Sequence, residues 1–257
     1  MKSLLQNPKH WLYVACHFVV LLIGFIMIQQ NPASLWFAVG SSLIAGGIAG
    51  LVIFVYVLMA EQVSAKLDIL NEFGFTAAFD ARSVRIRQDY VQRLEKAKEQ
   101  IDIIGFGLSS FREDFLDEFS KWKQRANVRI LLLDPEFPSV ELSYANQRDT
   151  EENNSLGKIT SEVKKFVEEV ENLISEDGDR VFAIRLYRCL PTLNIFRIDN
   201  ELFWGPYLIG EQSRNSPTFL VKRGGILFDR FTRQFECIWK DDNFSRPIPK
   251  AWLKPRA

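Results

Sequence analysis

Histidine limits the chemistry open to this chain. It occurs twice in 257 residues, as His10 and His17. Both fall within 10–60, a stretch with no Asp, Glu, Lys or Arg. The remainder therefore lacks the base of a Ser–His or Cys–His pair and the imidazole ligands of most zinc centres. Neither a Walker A sequence nor GxGxxG occurs, and no metal or cofactor is expected. Cys16, Cys189 and Cys237 are too scattered for a disulfide framework and read as reduced thiols. With 32 basic and 32 acidic residues, the chain shows no preference for nucleic acid.

The groups left are suited to binding. Gly105-Phe106-Gly107-Leu108-Ser109-Ser110 joins a strand to a helix start, where backbone N–H groups can hold an anion. A glycine turn with a helix cap explains the same residues without a ligand. Arg82, Arg188 and Arg197 supply positive charge, and Asn215 and Ser216 precede Pro217 in a loop able to close a pocket. Asp134-Pro135 ends an apolar strand, the kind of place where α/β pockets form, and also reads as a plain turn.

Two apolar runs, 11–29 and 33–59, are each long enough to cross the hydrocarbon core, and Gln29-Gln30-Asn31-Pro32 joins them too tightly for anything but an antiparallel hairpin. A second span so close behind the first argues against a cleaved signal peptide. Lys2 and Lys9 precede the first run, and Lys66, Arg82, Arg85 and Arg87 follow the second. That bias places both termini in the cytoplasm of a multi-pass protein of the bacterial inner membrane, with the lipid bilayer as its first partner. Ala38, Ser42, Gly46 and Gly50 make a small-residue face for helix packing, either within the chain or between protomers. His17 lies at depth, where a neutral ring bonded to a neighbouring helix's carbonyl or serine is expected.

Helical spacing of Val63, Leu67 and Leu70 extends the second span to about Gly74. The domains expected are a hairpin over 1–60, a helical stalk over 61–74 and a soluble domain over 75–257. Within the last, helix periods around 86–97 and 111–122 alternate with strands at 101–104 and 128–133. Ser110 with Glu113 reads as a capping box. A polar loop over 136–158 precedes an amphipathic helix, 159–173. Strands at 181–188, 193–198, 201–204 and 218–223 follow, with Asp199-Asn200 as a hairpin turn. A final helix carries Phe228, Phe231, Phe235 and Ile238. This order predicts an α/β sandwich with a mixed sheet.

The stretches ARSVRIRQDYVQRLEKAKEQIDIIGFGLSSF, VRILLLDPEFP and RLYRCLPTLNIFRIDNELFWGPYLIG resemble the phospholipase D-like superfamily, in its degenerate bacterial branch, over roughly 75–240. Active members carry His-x-Lys-x4-Asp and then Gly-Ser. With Asp199 at the aspartate, Thr192 stands for the histidine and Asn194 for the lysine; Gly205 matches, and Pro206 replaces the serine. The resemblance thus implies a fold stripped of its phosphohistidine route, no enzyme, that retains a pocket of phosphate or nucleotide size. Coupled to two spans, such domains look like bacterial antiphage effectors of the abortive-infection type. The expectation is a membrane-anchored sensor, triggered by a nucleotide, a phage product or a partner protein, whose hairpin oligomerises and disrupts the membrane. A dimer or higher homo-oligomer fits. A passive tether for a partner, or a phosphodiesterase at the membrane, are the alternatives.

Overall fold

The two apolar runs form helices α1 (Pro8–Ile28) and α2 (Leu35–Phe73) in a computed structural model that describes residues 8–29, 32, 34–80, 84–175 and 179–253. Both helices are long and apolar enough to cross a membrane. The chain divides into two units, Met1–Ile69 and Leu70–Ala257.

In the first unit, side chains that turn inward recur three and four residues apart. On α1 they are His10, Val14, His17, Leu21 and Gly24; on α2, Gly40, Ile44, Gly47, Leu51 and Phe54. That alternation is the seam of a left-handed helix pair. Gly24 and Gly40 let the backbones approach: a Cβ on Gly40 would stand 2.8 Å from the Gly24 carbonyl oxygen. The His17 ring lies against Gly50, in the space a side chain there would need. Its Nδ1 donates to the Tyr13 carbonyl at 2.9 Å, so the acceptor belongs to its own helix rather than a neighbour. The small-residue face is divided. Gly50 faces α1, whereas Ala38, Ser42 and Gly46 are exposed, with open space at Gly46.

In the second unit the last turn of α2 passes straight into β1 (Phe75–Phe79) through Gly74. Gly74 has φ +81°, which ends a helix at little cost only for glycine. Its carbonyl accepts from Lys222 N at 3.0 Å, and its backbone lies against Gly225. The remaining elements are α3 (Val84–Leu94), β2 (Gln100–Gly105), α4 (Ser109–Phe115), α5 (Phe119–Arg125), β3 (Asn127–Leu133), α6 (Tyr144–Glu151), α7 (Lys158–Val170), β4 (Phe182–Tyr187), β5 (Leu193–Ile198), β6 (Glu201–Pro206), β7 (Thr218–Lys222), α8 (Ile226–Lys240) and β8 (Ser245–Pro247). The eight strands form one sheet in the order β1-β7-β6-β5-β2-β3-β4-β8. Strands β2, β3 and β4 are parallel and the other pairings antiparallel, so the sheet is mixed.

Alternation along β5 divides the two faces. Phe196 points into an aromatic core with Phe111 of α4 and Tyr90 of α3, and Phe119, Trp122 and Phe166 continue that core over Phe182. Arg197 points the other way, under α8, with its guanidinium 5.6 Å from the Phe228 ring. This second face is ionic: buried Asp102 takes Arg129 Nε at 2.7 Å and Arg197 Nη1 at 3.3 Å.

Four elements differ from what the sequence predicts. The capping box at Ser110 and Glu113 does not form: α4 starts at Ser109 behind Leu108, which has φ 52° and gives no side-chain cap. The polar segment 136–158 contains α6, started by Ser143, whose hydroxyl accepts from Asn146 N at 3.2 Å. Its inward residues include Arg148 and Asp149, so no apolar stripe marked it as a helix. Strands β1 and β8 were also unmarked, being five and three residues long.

Candidate functional site

A cleft of roughly 190 Å³ opens where β2 ends and β5 begins. Its floor is the turn Phe106–Ser110, and its walls come from Asn194 of β5, the start of α7, and the loop after β6. Gly107 brings the turn against α7: a Cβ there would stand 2.6 Å from Glu162 Cβ. Tyr207 covers Phe106, with ring centroids 4.0 Å apart.

Two buried charged residues hold these walls. Arg148 of α6 lies over the Phe106 and Tyr207 rings and donates to the Leu208 carbonyl at 2.9 Å and the Glu211 carbonyl at 3.0 Å. Asp149 accepts from Ile159 N at 3.2 Å and so anchors the first turn of α7. Burial raises the Asp149 pKa, against the backbone N–H groups of Ile159, Gly157 and Lys158.

Two acidic and two basic residues line the cleft, and they differ in how they are held. Glu152 is committed to Arg148 at 2.9 Å and to the Ser213 hydroxyl at 2.6 Å. Glu162 is committed to buried Arg112 at 3.1 Å, a residue that also takes Glu169 at 2.7 Å. Lys158 donates only to Asn154 Oδ1, at 3.0 Å, and Arg214 is exposed; neither has a carboxylate partner among the described residues. Ser109, Ser110, Asn194, Gln212 and the Tyr207 hydroxyl add neutral polar groups. Such a cleft suits a small anion with polar arms.

Of the residues singled out in the sequence, Gly107, Ser109 and Asn194 line the cleft, and Gly105 lies beneath it against Leu108. Gly205 sits opposite Asn194 on β6. Thr192 is exposed at the start of β5, and its carbonyl accepts from Tyr207 N. Asn215 is exposed beyond Arg214, whereas Ser216 is buried and its hydroxyl has no partner. Arg188 turns away to Asp134, 3.3 Å distant, and stacks over Phe137. Arg197 and Asp199 lie at the far end of β5. There Asp199 accepts from the N–H groups of Lys98, Glu99 and Gln100 at 2.8–2.9 Å. Arg82 lies outside the described residues. Lys158, Arg214, Arg148 and Tyr207 carry no mark in the sequence; the three charged ones stand in polar stretches, where such charges read as solvated.

The site and the fold define a mixed α/β domain with a polar cleft, behind two apolar helices. No family model matches the chain, and none of the curated proteins does. Among solved structures it is similar to TrmBL2, an archaeal chromatin protein described as showing a novel mode of DNA binding. Identity there is 14%, over 85% of this chain and 72% of that one, with a TM-score of 0.42. It is also similar to a phosphatidylserine synthase from Haemophilus influenzae Rd KW20, at 11% identity over 76% of this chain, with a TM-score of 0.43. This chain spans 44% of that synthase. At such scores neither likeness bears on function.

Proposed function

We propose that this chain is a membrane-anchored sensor and effector: the cleft binds an anionic trigger without turning it over, and the hairpin answers by assembling and disrupting the inner membrane. The observation that carries the reading is that Lys158 and Arg214, two cations without a carboxylate partner among the described residues, line one cleft in a domain without a histidine. Two helices long and apolar enough to span a bilayer support the anchor. The charge-free stretch with its basic flanks supports two cytoplasmic termini. The resemblance of a degenerate phospholipase D-like domain behind two spans to antiphage effectors supports a role in abortive infection.

Two measurements test the reading. Inorganic phosphate and nucleoside monophosphates, titrated against the full chain in nanodiscs, should raise its melting temperature. The double variant Lys158→Glu/Arg214→Glu should bind roughly 100-fold more weakly or worse, since each charged hydrogen bond contributes about 1.5–3 kcal/mol. Both side chains are exposed, so the unliganded stability should change by no more than about 0.5 kcal/mol per site. No response to any of these anions would sink the sensor.

Membrane potential, followed by dye in expressing cells during infection, tests the effector. Gly50→Leu places a side chain in the His17 ring and should abolish depolarisation by spoiling the pair itself. Gly46→Leu leaves the pair intact and should reduce depolarisation through contacts between hairpins. Full depolarisation in the Gly50→Leu cells would rule the hairpin out.

A further inference from the structure

The ionic face of the sheet has a hollow of its own, roughly 430 Å³ in volume, at the end opposite the cleft. It opens over the first residues of β2, β3 and β4. Asn127 and Arg129 of β3, Ala183 and Arg185 of β4, Val181 just before β4 and Trp239 of α8 line it. Arg129 pairs across the sheet with Ala183, and Arg185 stands two residues further along β4. The two guanidiniums are therefore carried by diagonal neighbours on one face, close enough for long side chains to share a space. The small side chain of Ala183 leaves that space open.

Each guanidinium is held by one edge only. Arg129 donates through Nε to Asp102 at 2.7 Å and through Nη2 to Glu236 at 2.6 Å. Arg185 donates through Nε to the Ser245 hydroxyl at 2.9 Å, and through Nη2 to Asp242 at 2.6 Å and the Ser245 carbonyl at 3.1 Å. Among the described residues neither Nη1 has a hydrogen-bond partner. In a planar guanidinium Nη1 points away from the side to which the Nε–H is directed. Asp102 is on β2 and Ser245 on β8, which flank β3 and β4 on opposite sides, so the two Nη1 groups turn toward each other over the gap between β3 and β4. The carboxylates nearby are engaged elsewhere: Asp102 also holds Arg197 at 3.3 Å, Glu236 also holds Lys240 at 2.9 Å, and Asp241 accepts from Asn243 N at 2.9 Å. Asn127 adds a third donor, its Nδ2, because its Oδ1 is taken by Val181 N at 3.1 Å.

From this arrangement we infer that the hollow binds a small carboxylate with a flat apolar body, such as an aromatic acid. Two free guanidinium edges that meet over one gap repel each other until an anion lies between them, and the bonds a carboxylate would accept there are charge-assisted. The rest of the lining sets the body of the ligand. Val181, Ala183 and the Trp239 ring, which stacks on Phe235, offer an apolar wall. Among the described residues no helix N-terminus or glycine turn lines the hollow, so the usual cradle for a phosphate is missing. The hollow shares no residue with the cleft and does not depend on the hairpin.

Fluorine NMR of para-fluorobenzoate, titrated against the full chain in nanodiscs, tests the site. The resonance should broaden saturably at millimolar ligand and recover when benzoate is added, whereas para-fluorobenzamide, the uncharged analogue, should not broaden. Arg185→Gln should weaken binding about tenfold or more, through the loss of one charged hydrogen bond. Asp242→Asn should strengthen it roughly threefold, since Asp242 is the one carboxylate on Arg185 among the described residues and its side chain is 90% exposed, so its removal frees the guanidinium without disturbing the core. The cleft variant Lys158→Glu/Arg214→Glu should bind para-fluorobenzoate as the unaltered chain does. Melting temperatures identify the variants that stay folded, and the gain in Asp242→Asn decides the matter even if Arg185→Gln unfolds. Broadening of acid and amide alike, no gain in Asp242→Asn, or loss of binding in the cleft variant overturns the inference. Displacement by inorganic phosphate as readily as by benzoate overturns the carboxylate class.

Discussion

Replacing Gly225 with alanine should destabilise the second unit by about 3 kcal/mol or more and lower its melting temperature by roughly 10 °C. A Cβ at Gly225 would overlap the Gly74 backbone and stand 2.8 Å from the Phe73 carbonyl carbon. The obstructed atoms are main chain, so no rotamer change relieves them. Moving Gly74 would in turn pull its carbonyl off Lys222 N and open the register between β1 and β7, which begins at Phe75 and Val221. Gly224→Ala is the control. It has open space but φ +91°, so it should cost only about 1 kcal/mol from backbone strain. Thermal unfolding of the full chain in detergent measures both. Equal melting temperatures for the two variants would mean that the Gly74–Gly225 contact does not hold the sheet.

Removing the carboxylate of Asp102 should cost about 3–5 kcal/mol, because it strands charge in the interior. Asp102 is 1% exposed and is shared by Arg129 Nε at 2.7 Å, Gln100 Nε2 at 2.6 Å and Arg197 Nη1 at 3.3 Å. In Asp102→Ala, Arg129 keeps Glu236 at 2.6 Å, but Arg197 keeps only the Asp199 carbonyl and the Phe228 ring. Changing Asp102, Arg129 and Arg197 together to methionine removes the ions as a set and should recover most of the loss. Denaturant midpoints of the single and triple variants decide this; a triple variant less stable than Asp102→Ala would show that the ionic face contributes net stability.

The parts of the fold legible in the sequence were those where one residue type dictates one structure. The apolar runs, the strand Val128–Leu133 and the turn at Asp199-Asn200 were all marked by composition or period. Helix α6 escaped because Arg148 and Asp149 are buried through long-range bonds, to Leu208 and Ile159, which local pattern does not contain. The site divided for a geometric reason. Asn194 stands near the start of β5 and Asp199 just past its end, a separation of about 17 Å, so a motif compact in sequence spans the sheet from end to end. Asn194 reached the cleft, while Asp199 became the bracket that holds the start of β2. Lys158 and Arg214 line one cleft only because α7 and the loop after β6 meet there.

Strand β8 has a consequence for how copies can meet. It forms one border of the sheet, spans three residues, and ends at Pro247, with Pro249 two residues on. A proline offers no N–H to an incoming strand, and so short a border gives little to template on. Copies of the chain brought together are therefore blocked on that side from adding strand to strand into an endless ribbon. Growth at that border stops at the single chain.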